Sequence, residues 1–477
     1  MLGADLSRIG PELALTITAC LVLLWDAWAT GPALEADARG PATAALAFAG
    51  VCVGFALNVR AVARPEVAFA GMYVRDHLTQ SVSLAVLAAT GLAVLLSPGY
   101  LRRSRLPAGE YYALLLLAAV GAMLMGASRN LAVLFLGLEI LSFSLYTLAA
   151  LARRSSRSQE AGLKYLLLGA FATAFFIYGV ALIYGATGTV DLASIARAPA
   201  SVLLGVGVAL VTIGLAFEAA LVPFHAWAPD VYEGAPLPVT AFMSVVAKIG
   251  AFAGLVRVFP LALPGLDREW GPVLAAIAVA TMILGNLAAL RQANVKRLLA
   301  YSSIAHAGYI LIGVVSGAAG AAGVLFYLLV YTAMNLGAFG VLLLLERRGG
   351  EADRLEDLAG LAGRAPWAAG VLALCMVSLA GLPPTAGFIA KFYLFRAALE
   401  GHQAALALVG VLTSVVSVYY YMRVAYVALS PGSSDASVFR SIPAGVALGI
   451  AAAGVLWLGL APQGATWMVQ QAVQALK

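Results

Sequence analysis

Five ionisable side chains fall inside stretches that are otherwise apolar. Glu139 lies in Leu134-Phe135-Leu136-Gly137-Leu138-Glu139-Ile140-Leu141, and Glu218 in Phe217-Glu218-Ala219-Ala220-Leu221. Lys248 lies in Val245-Val246-Ala247-Lys248-Ile249-Gly250, Lys391 in Gly387-Phe388-Ile389-Ala390-Lys391-Phe392, and Lys164 follows Glu160 by four positions. Burial penalises the charged form of either group, so carboxyl and ammonium groups taken out of water approach one another in proton affinity. A line of such groups can relay protons. The competing reading is static ion pairs that hold helices together. For Lys164 both readings stand, because Glu160 is its i,i+4 neighbour on a helix. Glu139, Lys248 and Lys391 have no opposite charge close in sequence, which favours proton exchange. His225 and His306 are secondary candidates, since a histidine near a helix end often serves only as a hydrogen-bonding group.

Those positions must be held by elements that cross a bilayer. The chain has 477 residues, 62% hydrophobic and 11% charged. Soluble domains carry roughly 25% charged and 45–50% apolar residues. A globule of this length could not cover itself with so little charge, so soluble enzymes, nucleic-acid-binding proteins and disordered tails are excluded. The net charge of +6 is spread thinly and forms no basic run that would suit nucleic acid. The class that remains is an all-α polytopic membrane protein. Within it, each central charge costs roughly 2.5–3.5 kcal/mol on insertion scales, so the five must be paired or hydrated. Cys20, Cys52 and Cys375 stand alone without a C-x-x-C, which points to buried small hydrophobes and to no metal or iron–sulfur ligation. No segment is long enough for a soluble nucleotide or flavin domain. The apolar run after Arg8 contains Asp26 and no convincing cleavage site follows, so it reads as a retained first membrane helix.

Fourteen stretches have the ~20 apolar residues that a helical crossing needs, from 10–29 to 441–461. Loops after odd-numbered helices are richer in basic residues, among them Arg102, Arg103, Arg105, Arg153, Arg154, Arg157, Lys296 and Arg440. The positive-inside rule then puts both termini on the non-cytoplasmic side. Proline interrupts two crossings, at Pro223 in the seventh and at Pro383-Pro384 in the twelfth. Proline removes a backbone donor and clashes with the preceding turn, so a break is expected at each. Simple proline kinks are the alternative. An offset of five helices reverses topology, which predicts two inverted five-helix repeats, each containing a broken helix, over 110–262 and 271–427. A three-helix segment, 1–109, precedes them, and 428–477 carries helix fourteen. The run Gly317-Ala318-Ala319-Gly320-Ala321-Ala322-Gly323 reads as a turn or a close helix packing.

Several runs are similar to a known family. Asn130-Leu131-Ala132-Val133-Leu134-Phe135-Leu136-Gly137-Leu138-Glu139 resembles the proton-channel subunits of respiratory complex I and the related cation/proton antiporters. So do Leu221-Val222-Pro223-Phe224-His225 and Lys296-Arg297-Leu298-Leu299-Ala300-Tyr301-Ser302-Ser303-Ile304-Ala305-His306. Trp227-Ala228-Pro229-Asp230-Val231-Tyr232-Glu233-Gly234-Ala235-Pro236 and Ala380-Gly381-Leu382-Pro383-Pro384-Thr385-Ala386-Gly387-Phe388 narrow the likeness to the subunit N branch of bacterial NADH–quinone oxidoreductase. The resemblance implies fourteen helices with a half-channel in each repeat. It implies proton-relay roles for Glu139, Lys248 and Lys391, with Lys164 auxiliary.

One position departs from the family pattern. Where the resemblance leads one to expect a lysine on helix seven, this sequence has Glu218. Either Glu139 and Glu218 face one another and share a proton, or Glu218 pairs with Lys248 and leaves Glu139 to Lys164.

The reading is a membrane subunit of a proton-pumping NADH–quinone oxidoreductase that moves protons through Glu139, Glu218, Lys248 and Lys391. The alternatives are a subunit of a multisubunit cation/proton antiporter or membrane-bound hydrogenase, and a non-conducting scaffold. The resemblance implies no cofactor in this chain, with NADH, flavin, iron–sulfur clusters and quinone in other subunits. Its expected partners are the other membrane subunits, including neighbouring antiporter-like ones, and lipids, and no nucleic acid. The expected location is the bacterial cytoplasmic membrane.

Overall fold

A computed structural model describes residues 2–29, 36–60, 65–347 and 350–474. Twelve helices among them are long and apolar enough to cross a membrane, from Gly10–Trp28 to Ile442–Leu460. Two further crossings, the seventh and twelfth in chain order, are each built from two shorter helices. The seventh runs Val202–Glu218 and then Trp227–Gly234, and the twelfth Pro366–Ala380 and then Ala386–Glu400. Helices dominate because a bilayer offers backbone groups no partner, and a helix satisfies them within one segment. Polar residues mark the starts. Asp76, Asn130, Ser155, Ser201, Asn294 and Ser441 each accept a hydrogen bond from a backbone N–H of the first turn that follows.

The seventh helix stops at Glu218, five residues before the proline that the sequence offers as its breaker. The twelfth stops at Ala380, three residues before Pro383. The peptide bonds Val222–Pro223 and Pro383–Pro384 are cis. Among the described residues, strands form two small sheets: Glu66–Ala68 pairs antiparallel with Tyr73–Arg75, and Leu345–Arg347 lies between Gly350–Glu351 and Ser437–Val438.

The eighth, tenth and eleventh crossings, Leu237–Val256, Val295–Val315 and Gly317–Leu343, form an almost wholly buried axis. The first, second, sixth, ninth, thirteenth and fourteenth surround it and expose much of their apolar surface. Phe171, Val415 and Tyr426 are among the outward residues, as a lipid-facing surface requires. With no hydrophobic drive between helices in lipid, small residues let backbones approach. A Cβ on Gly179 of the sixth crossing would stand 2.6 Å from the Gly207 carbonyl of the seventh. The glycine run at 317–323 serves both expected ends: Gly317 turns with φ +67°, and Gly320 packs on the backbone of Gly313. Cys375 is buried as expected, but Cys20 and Cys52 are exposed, because they lie on outer faces of the first two crossings.

Candidate functional site

The two helix breaks are closed by the same backbone motif. At the first, Ala220 takes a left-handed φ of +57°, Leu221 N–H donates to the Ala216 carbonyl at 2.8 Å, and Ala220 N–H to that of Phe217 at 2.9 Å. At the second, Gly381 has φ +83°, Leu382 N–H donates to Val377 at 3.2 Å, and Gly381 N–H to Ser378 at 2.9 Å. Both are Schellman closures. They leave the last carbonyls of each half-helix without intrahelical donors, at the negative end of the helix dipole.

In each break a buried lysine meets such a carbonyl. Lys248 of the eighth crossing donates to Ala219 O at 2.9 Å. Lys391, on the far half of the twelfth, donates to Ala380 O at 3.0 Å, Leu379 O at 3.1 Å and Ser414 Oγ at 2.7 Å. Its ammonium also lies 4.9 Å from the centre of the Tyr309 ring. Ala219 and Ala380 hold the same place in the two closures, but Lys248 reaches its carbonyl from the following crossing and Lys391 from the far half of the same one.

The carboxylates find hydroxyl groups. Glu218, only 2% exposed, accepts from Ser142 Oγ at 3.2 Å and from Tyr165 OH at 3.5 Å. Ser142 follows Glu139 by three residues on the fifth crossing, Leu131–Ala149. Glu139 itself is half-buried and accepts from Thr173 Oγ1 of the sixth crossing at 2.7 Å. Tyr165 is stacked on Trp227 at 4.2 Å, and Trp227 Nε1 donates to Phe217 O at 2.9 Å. Among the described residues, no ion pair includes Glu139, Glu218, Lys248 or Lys391. The ion-pair arrangement open to the sequence, Glu218 with Lys248 and Glu139 with Lys164, does not form, and the described carboxylates Glu139 and Glu218 bond to separate hydroxyl groups. Lys248 bonds the carbonyl of Ala219, the residue that follows Glu218.

Lys164 belongs to a separate cluster. It meets Glu160 at 2.8 Å and Asp230 at 2.7 Å, while Arg297 meets Asp230 at 2.8 Å and Glu233 at 2.9 Å. These groups line an open cleft of about 220 Å³. Asp230 lies on the short helix Trp227–Gly234, outside the long spans.

His306 lies on the buried tenth crossing. Its Nδ1 is 2.6 Å from Tyr327 OH and its Nε2 2.8 Å from Tyr421 OH. Tyr421 also meets Ser302. The His306 ring packs edge-on against Tyr309 at 5.8 Å, and Asn286 Nδ2 donates to Tyr309 OH at 3.0 Å. Polar groups therefore continue from the Lys391 pocket through Tyr309 to His306. His225 sits in the turn after Pro223, half-buried, with no hydrogen bond at Nδ1, and joins neither cluster.

Sequence reasoning missed the hydroxyl groups of Ser142, Tyr165, Thr173, Ser414 and Tyr421. Ser142 carried a signal, three residues from a charge on one helix face; the others act across helices. It also placed Lys296 among loop cations. Lys296 is fully buried, donating to Ala235 O and to Glu351 Oε2, both at 2.7 Å. Glu351 in turn accepts from Leu237 N–H at 3.1 Å and from Tyr100 OH. Among the described residues, no group of three or more His, Cys, Asp or Glu is placed to hold a metal.

The family described as NADH:quinone oxidoreductase/Mrp antiporter, TM, matches residues 128–417. NADH-quinone oxidoreductase subunit N of Trichlorobacter lovleyi is 47% identical over 417 residues, which is 86% of either chain. Among solved structures, a chain of Thermus thermophilus respiratory complex I with bound aureothin superposes with TM-score 0.81 at 36% identity, covering 95% of this chain and 97% of that one. A chain of the Mrp complex from Dietzia sp. gives TM-score 0.82 at 25% identity, covering 98% of this chain and 97% of that one. The fold alone does not separate these two, whereas sequence identity does. The chain belongs to the NADH:quinone oxidoreductase/Mrp antiporter membrane family, and within it to the proteins called NADH-quinone oxidoreductase subunit N.

Proposed function

We propose that this chain is a proton-translocating membrane subunit of an NADH–quinone oxidoreductase. The observation that carries the reading is that each helix break presents the same free carbonyl to a buried lysine, Lys248 at one and Lys391 at the other. Each is a buried ammonium held by the free carbonyl end of a broken helix, with no carboxylate in ion-pair contact. A carbonyl stabilises the cation without fixing its charge, so the lysine can release and regain a proton at little structural cost.

The path runs through Glu139 and Glu218 to Lys248, and on to Lys391 by way of the His306–tyrosine cluster. Ser142, Tyr165 and Ser414 donate or accept at the transfer points. Lys164 is auxiliary, as part of the cleft with Asp230 and Arg297. A proton arriving on Glu218 removes the negative charge nearest Lys248 and so makes the ammonium easier to deprotonate. Coupling along the line is electrostatic. Residues 110–262 and 271–427 form the two inverted repeats, each supplying one break and one lysine. NADH, flavin, iron–sulfur clusters and quinone belong to other subunits, and the neighbours in the membrane are further antiporter-like chains. The protein is multi-pass in the cytoplasmic membrane, with both termini on the non-cytoplasmic side.

The test uses the assembled complex in proteoliposomes. Lys391→Ala and Glu139→Ala should each reduce NADH-driven proton uptake while flavin and iron–sulfur content stay at wild-type levels. Full uptake in both variants would overturn the relay.

A further inference from the structure

A cavity of about 1090 Å³ opens at the edge of the fold, outside the relay, where the second, third, fourth and fourteenth crossings meet. Pockets for small molecules span ~300–1,000 Å³, and this one exceeds them. Its walls are mainly apolar, with Phe48, Val94, Leu95 and Ile442 among them. At one end stand three guanidinium groups: Arg102 and Arg105 from the connection after the third crossing, and Arg440 just before the fourteenth. All three are exposed, and among the described residues no ion pair engages them. Their two connections are far apart in sequence yet meet around Phe439, whose ring lies 5.9 Å from the Arg102 guanidinium and 4.3 Å from that of Arg103. Among the described residues, Asp26 is the one acidic residue lining the cavity, close against Gly109 at the start of the fourth crossing.

We propose that this cavity binds an anionic phospholipid, with the phosphate on Arg102, Arg105 and Arg440 and the acyl chains along the apolar walls. The arginines stand at helix ends, which is the depth of the headgroups, while Phe48 and Val94 lie within crossings. A guanidinium presents paired N–H donors that match a phosphate, which a zwitterionic headgroup partly masks with its own cation. Among the described lining residues, three guanidinium groups stand against one carboxylate, a cationic balance. A free phosphate would leave the apolar volume unfilled, so the occupant is a lipid. Its acyl chains join the three-helix N-terminal segment to the fourteenth crossing.

The experiment reconstitutes the whole complex in nanodiscs containing phosphatidylglycerol or phosphatidylcholine with a photoactivatable group on one acyl chain. Labelling of the cavity walls should be several-fold stronger with phosphatidylglycerol. Replacing Arg102, Arg105 and Arg440 by Gln should lower that labelling by roughly fivefold per arginine removed and leave phosphatidylcholine labelling unchanged. Ala45→Phe, which fills the cavity without altering charge, should lower labelling by both lipids. NADH oxidation at the wild-type rate would show that the variants assemble. Equal labelling by the two lipids, indifference to the arginine substitutions, or an unlabelled cavity because a neighbouring chain fills it would each overturn the proposal.

Discussion

Lys391 reaches its carbonyl partners across Gly381: a Cβ on Gly381 would stand 2.8 Å from Lys391 Cδ and 3.1 Å from its Nζ. The same glycine adopts φ +83° to close the half-helix. One residue thus sets both the direction of the free carbonyls and the room for the ammonium.

Gly381→Ala should therefore fail twice. A left-handed alanine costs about 1–3 kcal/mol, and its methyl group pushes the lysine away from Ala380 O. We expect a lower thermal midpoint of the purified complex and a several-fold loss of proton uptake. Gly363→Ala, where nothing lies within 4 Å and φ is ordinary, should match the wild type in both measurements. Normal uptake in Gly381→Ala would show that the position of Lys391 tolerates displacement.

Glu218→Gln keeps the size of the side chain and its ability to accept from Ser142 and Tyr165, but it cannot carry a proton. A positioned acid–base group contributes about a hundredfold or more to a transfer step. Proton uptake should fall at least tenfold by that measure, with the thermal midpoint unchanged or raised. Unchanged pumping stoichiometry and rate would remove Glu218 from the path.

Tyr421→Phe deletes one hydroxyl that touches both His306 Nε2 and Ser302. The stability cost should be about 1 kcal/mol. If His306 carries protons between the lysines, the variant slows uptake well beyond that cost, and His306→Phe slows it to the same level. Equal uptake in wild type and both variants would reduce His306 to a packing group.

Asp76 tests stability apart from transport. Its carboxylate caps the third crossing at Thr79 and receives Arg257 NH1 at 2.7 Å and NH2 at 2.8 Å. Burial alone would raise its pKa, but the Arg257 guanidinium and the Thr79 hydrogen bonds together lower it from 3.8. The sign follows: this stability is fully present above the ordinary value and is lost as pH falls through the lower folded one. Asp76→Asn strands a buried guanidinium and should cost about 3–5 kcal/mol. Melting of the detergent-purified complex should show the loss at neutral pH. The gap to wild type should narrow only in strong acid.

The sequence by itself determined the crossings, their two interruptions and the apolar runs that hold four of the charges. Hydropathy and helical rise are properties of one segment at a time, so Glu139, Glu218, Lys248 and Lys391 could be assigned to apolar helices from their neighbours alone. The prolines marked the breaks but not where the helices stop, because the closures at Ala220 and Gly381 depend on backbone conformation several residues upstream. Only the tertiary structure decided the partners. Side chains point across helices, and residues more than a hundred positions apart, such as Ser302 and Tyr421, meet through helix packing that no local pattern encodes. That packing gave Lys248 and Lys391 carbonyls in place of carboxylates, and it drew Lys164 to Asp230. It also buried Lys296 against Glu351, because a cation near a helix start is read as surface until another connection folds over it.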